Sequence, residues 1–275
     1  MRSWWVFSFL LGCAIEDTWV LQRTPAEVSH DAGADDEGTG DAGPGDAGRR
    51  SLSDALVGHY PFDDADGGRR ATDVSGAQRH GALVGAAFLD PDGGRLRGAL
   101  QVSDGGALLP SGALSGPTVD SYAFSLWFRV DARPLTTDVT EGARLVTLYR
   151  GGGDRLAAGV LLPGDGSDSV WFLFDEVGPG AMGRVVFPDA GLSPDRWHHA
   201  AFSWDADAGL ARVAFDGRRW EATRFVTSVT GAAVPLGFAN FAPRAPGQFV
   251  GALDEVRFWR RPLTTEDLDV LWTTP

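Results

Sequence analysis

Few side chains in this chain of 275 residues could do chemistry, and their spacing argues against catalysis. Two acidic pairs, Asp175-Glu176 and Asp254-Glu255, and one histidine pair, His198-His199, stand out. Retaining hydrolysis of a glycosidic bond needs two carboxyls about 5–5.5 Å apart, flanking the bond. Neighbours on a strand point to opposite faces. Neither acidic pair can then serve, and the chain carries no ExDxE-type strand motif. For the same reason His198 and His199 cannot share a metal, and no His/Glu pair has zincin spacing. No GxSxG elbow is present. Cys13 is the only cysteine, which excludes an intrachain disulfide and a two-thiolate metal site. Aromatic residues point instead to binding. The chain has ten Trp, and exposed indoles stack on sugar rings. Trp171 and Trp220 are the candidates for such a platform; for each the alternative is packing in the core.

These residues need a β framework to position them. After residue 50 short apolar segments alternate with Gly/Asp/Pro punctuation, the pattern of an all-β sandwich. In Tyr122–Val130, Phe124, Leu126, Phe128 and Val130 fall on one face, with Ala123, Ser125, Trp127 and Arg129 on the other. Ser169–Asp175 gathers Val170, Phe172 and Phe174. Leu210–Phe215 runs into Asp216-Gly217, a dipeptide suited to a tight hairpin, with Arg218–Ala222 returning. Phe249–Trp259 is expected to alternate without interruption. Trp197–Trp204 and segments at 56–62, 81–88, 95–102, 144–150, 156–162 and 234–240 complete the expected strands. One helix is expected, over 265–272: Thr264 is its N-cap, Asp267 closes a capping box, and Leu263 and Leu268 form a hydrophobic staple.

Composition divides the chain near residue 50. Residues 31–48, DAGADDEGTGDAGPGDAG, hold no aromatic or large aliphatic side chain and cannot offset ordering entropy by burial. Residues 14–50 are expected to form a disordered acidic linker, a tether that like charges extend. The formal net charge is −13, of which residues 51–275 carry −8 once the nine acids and four arginines of residues 1–50 are set aside. No basic patch offsets this, so nucleic acid is not an expected partner. All 24 basic residues are Arg, a bias that fits a GC-rich genome. Residues 1–13 join Arg2 to an apolar run, Trp4–Leu11, too short to span a bilayer but suited to a signal peptide. Leu10-Leu11-Gly12-Cys13 resembles a bacterial lipoprotein signal. That resemblance implies lipidation at Cys13, export, and an outer-membrane or cell-surface address with the membrane reached only through the anchor.

Four segments of residues 51–275, in order, resemble the laminin-G-like, concanavalin-A-like jelly rolls. They are VGHYPFD with DVSGAQRHG (57–63 and 73–81), the Tyr122–Val130 strand, DRWHHAAFSWD (195–205) with its Asp-Gly hairpin, and GALDEVRFWRRPL (251–263). The resemblance implies a two-sheet antiparallel jelly-roll sandwich with one short C-terminal helix. It implies that Trp127 and Trp259 are structural. It also implies one structural calcium, with Asp73 and Asp254 giving carboxylates and carbonyls near 78–80 completing the donors. The alternative is that Asp73 and Asp254 bond backbone N–H groups. Ala77-Gln78 stand where the family often has Gly-Asn. The functional expectation is a surface-tethered, non-enzymatic module recognising glycan or an envelope protein. The alternatives are a glycan hydrolase with an unrecognised site and a structural envelope lipoprotein.

Overall fold

The computed structural model describes residues 17–20, 51–64, 68–103, 105–108, 121–134, 142–150, 155–175, 182–223, 236–239 and 248–274. The signal-like segment with Cys13, and residues 14–50 apart from 17–20, lie outside them.

The strands are Asp17–Val20 (β1), Leu56–Tyr60 (β2), Arg70–Ala71 (β3), Gly81–Gly85 (β4), Phe88–Asp90 (β5), Ala99–Val102 (β6), Gly105–Leu108 (β7), Tyr122–Ala132 (β8), Ala143–Arg150 (β9), Arg155–Leu162 (β10), Ser169–Asp175 (β11), Met182–Pro188 (β12), Trp197–Asp205 (β13), Leu210–Phe215 (β14), Arg218–Thr223 (β15), Leu236–Ala239 (β16) and Val250–Trp259 (β17). One helix, Thr265–Thr273 (α1), follows. The first sheet runs β1-β12-β11-β10-β9-β16-β7-β4-β3 and the second β15-β14-β13-β8-β17-β6-β5, with β2 also paired to β17. Every pairing is antiparallel except β1 with β12.

The two sheets close on one core. Tyr122, Phe124, Leu126, Phe128 and Val130 of β8 face Val170, Phe172 and Phe174 of β11 across a buried cluster that also holds Phe202, Phe215, Phe238 and Phe258. The period-two stripes read from the sequence therefore form the inner faces of a jelly-roll sandwich. Asp216 and Gly217 turn the β14–β15 hairpin with φ of 46° and 76°, the positive values a type I′ turn requires. At α1 the Thr264 hydroxyl accepts from the Asp267 N–H and the Asp267 carboxylate accepts from the Thr264 N–H. Leu263, Leu268 and Leu271 seat the helix on the outer face of the second sheet, where Ala123, Ala201 and Ala214 leave room for it.

Two expectations are corrected. Strand β17 does not alternate without interruption: the register slips between Asp254 and Arg257, and Glu255 takes φ 51°, so two residues oppose one on β8. Leu253, Val256 and Phe258 consequently all point inward. Within the expected linker, residues 17–20 are a strand that adds in parallel to β12. No helix among the described residues is long and apolar enough to cross a membrane.

Candidate functional site

Register fixes which outer side chains of the second sheet lie side by side. One row runs Phe88, Gln101, Ala252, Arg129, Trp197 over β5, β6, β17, β8 and β13. The next outer row on β17, β8 and β13 is Asp254, Trp127, His199. Beyond it come Arg257, Ser125, Ala201 and Ala214, the last two beneath the helix.

The first row reaches solvent through Phe88, Gln101, Arg129 and Trp197, while Ala252 at its centre is covered. Strands lie about 4.8 Å apart, so four steps from Phe88 to Trp197 span about 19 Å, the length of a short oligosaccharide. Phe88 is 52 % exposed, on an edge strand. At the far end the Arg129 guanidinium lies 5.5 Å from the Trp197 ring centre. Between them Asp131 accepts from Gln101 Nε2 at 2.8 Å and from Arg129 Nε at 3.0 Å. All three polar side chains are only partly buried, and each keeps hydrogen-bonding capacity for a ligand. Aromatic residues at both ends of a planar amide, guanidinium and carboxylate array suit a polyhydroxylated ring system.

The second row is roofed. Trp272 stacks on Trp127, centroids 5.3 Å apart and 16° between planes, and Arg95 lies 5.0 Å from the centre of the same ring. In this row Trp127 Nε1, both His199 ring nitrogens and Asp254 Oδ1, and in the row beyond it Ser125 Oγ, are buried without a hydrogen-bond partner. Burial drives the His199 imidazole down to about 3, Asp216 opposing and Arg257 assisting. Burial pushes the Asp254 carboxyl up to about 7 against the N–H bonds it receives from Leu96 and Arg95. Ser125, His199 and Asp254 are the residue types of an acyl-transfer triad. In register, however, Trp127 stands between His199 and Asp254, and no hydrogen bond joins the three.

The bulge also overturns the expectation that Asp254 and Glu255 point to opposite faces. Glu255 bonds His59 Nε2 at 2.8 Å and the Arg257 guanidinium, and both partners stand on the outer face, opposite Tyr60 and Phe258 of the core. Burial would raise the Glu255 carboxyl, but the His59 bond and the Arg257 charge hold it below its ordinary value. Glu255 is thus spent on protein groups, while Asp254 keeps Oδ1 without a partner.

Asp73 and Asp254, the two carboxylates the resemblance implies for calcium, both accept from backbone amides. Asp73 Oδ1 accepts from the His59 and Ser75 N–H groups and Oδ2 from that of Arg79. Burial works to raise this carboxyl and the amide bonds outweigh it, leaving it lowered. Asp254 Oδ2 accepts from the Arg95 and Leu96 N–H groups at 2.8 and 3.2 Å. Both aspartates bond backbone, as the alternative reading had it, and among the described residues no three His, Cys, Asp or Glu side chains gather as a metal set.

Neither expected tryptophan is an open platform. Trp171 is 8 % exposed on the outer face of the first sheet among Leu161, Leu173 and Val186. Its ring is covered by Arg184 at 4.2 Å and its Nε1 donates to Ser169. The adjacent cavity, lined by Thr147, Gly159 and Leu173, is about 20 Å³, room for one water. Trp220 packs inward, 6.2 Å from Phe174. It borders a cleft of about 290 Å³ beside Arg212, Arg219, Glu221, Thr265 and Leu268. Trp127 and Trp259 are structural: they are 3 % and 0 % exposed, and Trp259 Nε1 donates to the Leu52 carbonyl. Of the histidines, His198 is partnered through Asp216 at 2.8 Å, while His199 is not. Sequence reasoning missed Phe88, Gln101 and Trp197 because their common row depends on cross-strand register.

A family profile described as "Concanavalin A-like lectin/glucanases superfamily" matches residues 101–269. No curated protein matches the chain in sequence. Among solved structures, the binding domain of Paraclostridial Mosquitocidal Protein 1 superposes with TM-score 0.61 at 15 % identity, covering 82 % of this chain and 53 % of that one. The chain thus spans about half its length. Domain 4 of an extracellular GH43 arabinanase from Geobacillus stearothermophilus, in complex with arabinotriose, gives TM-score 0.56 at 21 % identity, covering 79 % and 98 %. Trypanosoma rangeli sialidase, in complex with the inhibitor DANA, gives 0.54 at 18 %, covering 79 % and 32 %. At these identities the likeness shows the fold alone.

Proposed function

Since the chain belongs to the concanavalin A-like lectin/glucanase superfamily, we propose that it is a non-catalytic glycan-binding module whose binding face is the open row from Phe88 to Trp197. The observation that carries this reading is the row itself: an exposed Phe88, a half-buried Trp197, and Gln101, Asp131 and Arg129 joined between them. A whole domain of the same fold carries arabinotriose, which supports glycan over protein as the ligand class. Export and anchoring through Cys13, with the domain displayed at the cell envelope, complete the proposal. In that arrangement β1 would start four residues beyond the anchor, and the edge of the first sheet would sit close to the membrane.

Binding of the full chain to a glycan array tests the reading. Phe88→Ala and Trp197→Ala should each weaken the best glycan about tenfold, on the order of 1.4 kcal/mol. Array binding that survives both substitutions would overturn this face. No glycan bound at all would overturn the class.

A further inference from the structure

We infer that the saccharide recognised by this face carries a carboxylate, selected by Arg95; the inference rests on the binding face proposed above. Arg95 sits at the boundary between the roofed row and the open one. Its backbone N–H is fixed by Asp254 Oδ2 at 2.8 Å, with the Leu96 N–H on the same oxygen. Its guanidinium lies 5.0 Å from the centre of the Trp127 ring. That ring has two faces. Trp272 arrives from α1 and takes one. Arg95 lies against the same ring, and Trp127 and Asp254 are the next outer residues after Arg129 and Ala252 along β8 and β17.

Among the described residues the charge on Arg95 has no carboxylate partner. Arg129, Arg133, Arg196, Arg212, Arg219, Arg257 and Arg261 each pair with a carboxylate. Arg95 is exposed, and no carboxylate among the described residues lies within ion-pair distance of it. Within the row itself Asp131 neutralises Arg129. Arg95 therefore brings a positive charge to the border of the face, where the Asp90 carboxyl follows Phe88 on the same side of β5, on a domain whose formal charge is −8. Tethering at both the backbone and the ring pre-orients the guanidinium, which lowers the ordering cost of a bound partner. A guanidinium offers two parallel N–H donors, and a carboxylate offers two parallel acceptors. A neutral sugar hydroxyl gains little from that charge, whereas an acidic sugar gains a charge-assisted pair beside the stacking aromatics.

The test is an array of matched oligosaccharides: neutral gluco, galacto and manno series, their C6-carboxyl counterparts, and sialylated chains with their asialo forms. The full chain should bind acidic members at least tenfold more tightly than their neutral partners, and added salt should narrow the ratio. Arg95→Gln should bring the ratio towards one, and Arg95→Lys should restore part of it. Melting temperatures of both variants establish that they fold. The uronic and sialic arms separate the two sources of the carboxylate. Neutral members bound as tightly as acidic ones, or a preference unchanged in Arg95→Gln, overturns the inference and leaves the glycan-binding reading standing. No binding to any member overturns both.

Discussion

Replacing Asp254 with Asn tests the electrostatics of the row beneath the proposed face. Asp254 is 0 % exposed, one oxygen holds the Arg95 and Leu96 amides, and the other has no partner. Burial pushes its carboxyl from 3.8 up to about 7. The folded state thus holds this proton more tightly than the unfolded chain does. Its contribution to stability is complete below about pH 4 and is lost as the pH rises to about 7. At about 1.4 kcal/mol per unit, the full swing is on the order of 4 kcal/mol. Asparagine keeps a carbonyl oxygen for the two amides and cannot ionise. His199 acts in the opposite sense: burial lowers it from 6.5 to about 3, so its contribution is lost as the pH falls below 6.5. Between about pH 4 and 6.5 the two slopes oppose one another and nearly cancel in the parent protein. Urea titrations followed by tryptophan fluorescence, in half-unit steps from pH 4 to 8.5, separate them. The gain in stability of Asp254→Asn over the parent should be near zero at pH 4, climb about 1.4 kcal/mol per unit, and level off near pH 7. A gain that does not vary with pH, or a variant less stable than the parent at pH 8, refutes the reasoning.

His199→Phe should give the mirror image, with no pH-dependent difference above pH 6.5 and a growing advantage as the pH falls, in the same titration. Gly217→Ala places a Cβ 3.0 Å from Trp272 Nε1 at a φ of +76°; it should cost about 1–2 kcal/mol and shift the tryptophan emission as Trp272 leaves Trp127. Arg261→Met removes a guanidinium that donates to the Ser51, Asp54 and Pro262 carbonyls and to Asp267. It should cost about 3 kcal/mol in urea unfolding, because the Asp267 carboxylate stays behind with its buried charge unpaired. A loss below about 1 kcal/mol would show that residues 51–54 do not depend on this clamp.

Period-two patterning and turn chemistry made the sandwich legible. Phe124, Leu126 and Phe128 bury on one face because alternation leaves them no other arrangement, and Asp216-Gly217 turns because both residues tolerate positive φ. Thr264 and Asp267 announced the helix start. Strand β7 was hidden because GGAL reads as a turn; a Cβ at Gly105 would meet the Val84 carbonyl oxygen, so that glycine serves close strand packing. The binding row was hidden for another reason. Phe88, Gln101, Ala252, Arg129 and Trp197 come from five strands, and alternation says only that each faces outward. Which of them are neighbours is settled by pairings such as Ala252 with Gln101 and Arg129, made over separations of more than one hundred residues.

The bulge at Glu255 joins these observations. An uninterrupted β17 that keeps Leu253 inward would turn Val256 and Phe258 outward and Arg257 into the core. One extra residue restores Val256 and Phe258 to the core and sets Glu255 beside His59 and Arg257. At the same place the free edge of β17 changes partner, from β6 at residues 251–253 to β2 at 256–259. Asp254 falls in the gap between them, where no ladder competes for its side chain, and it spends one oxygen on the amides of Arg95 and Leu96. That bond, with the contact to the Trp127 ring, holds Arg95 beside the row. Local chain geometry thus sets where the Arg95 charge stands: the bulge leaves Asp254 between the β6 and β2 pairings with a side-chain oxygen on the Arg95 amide.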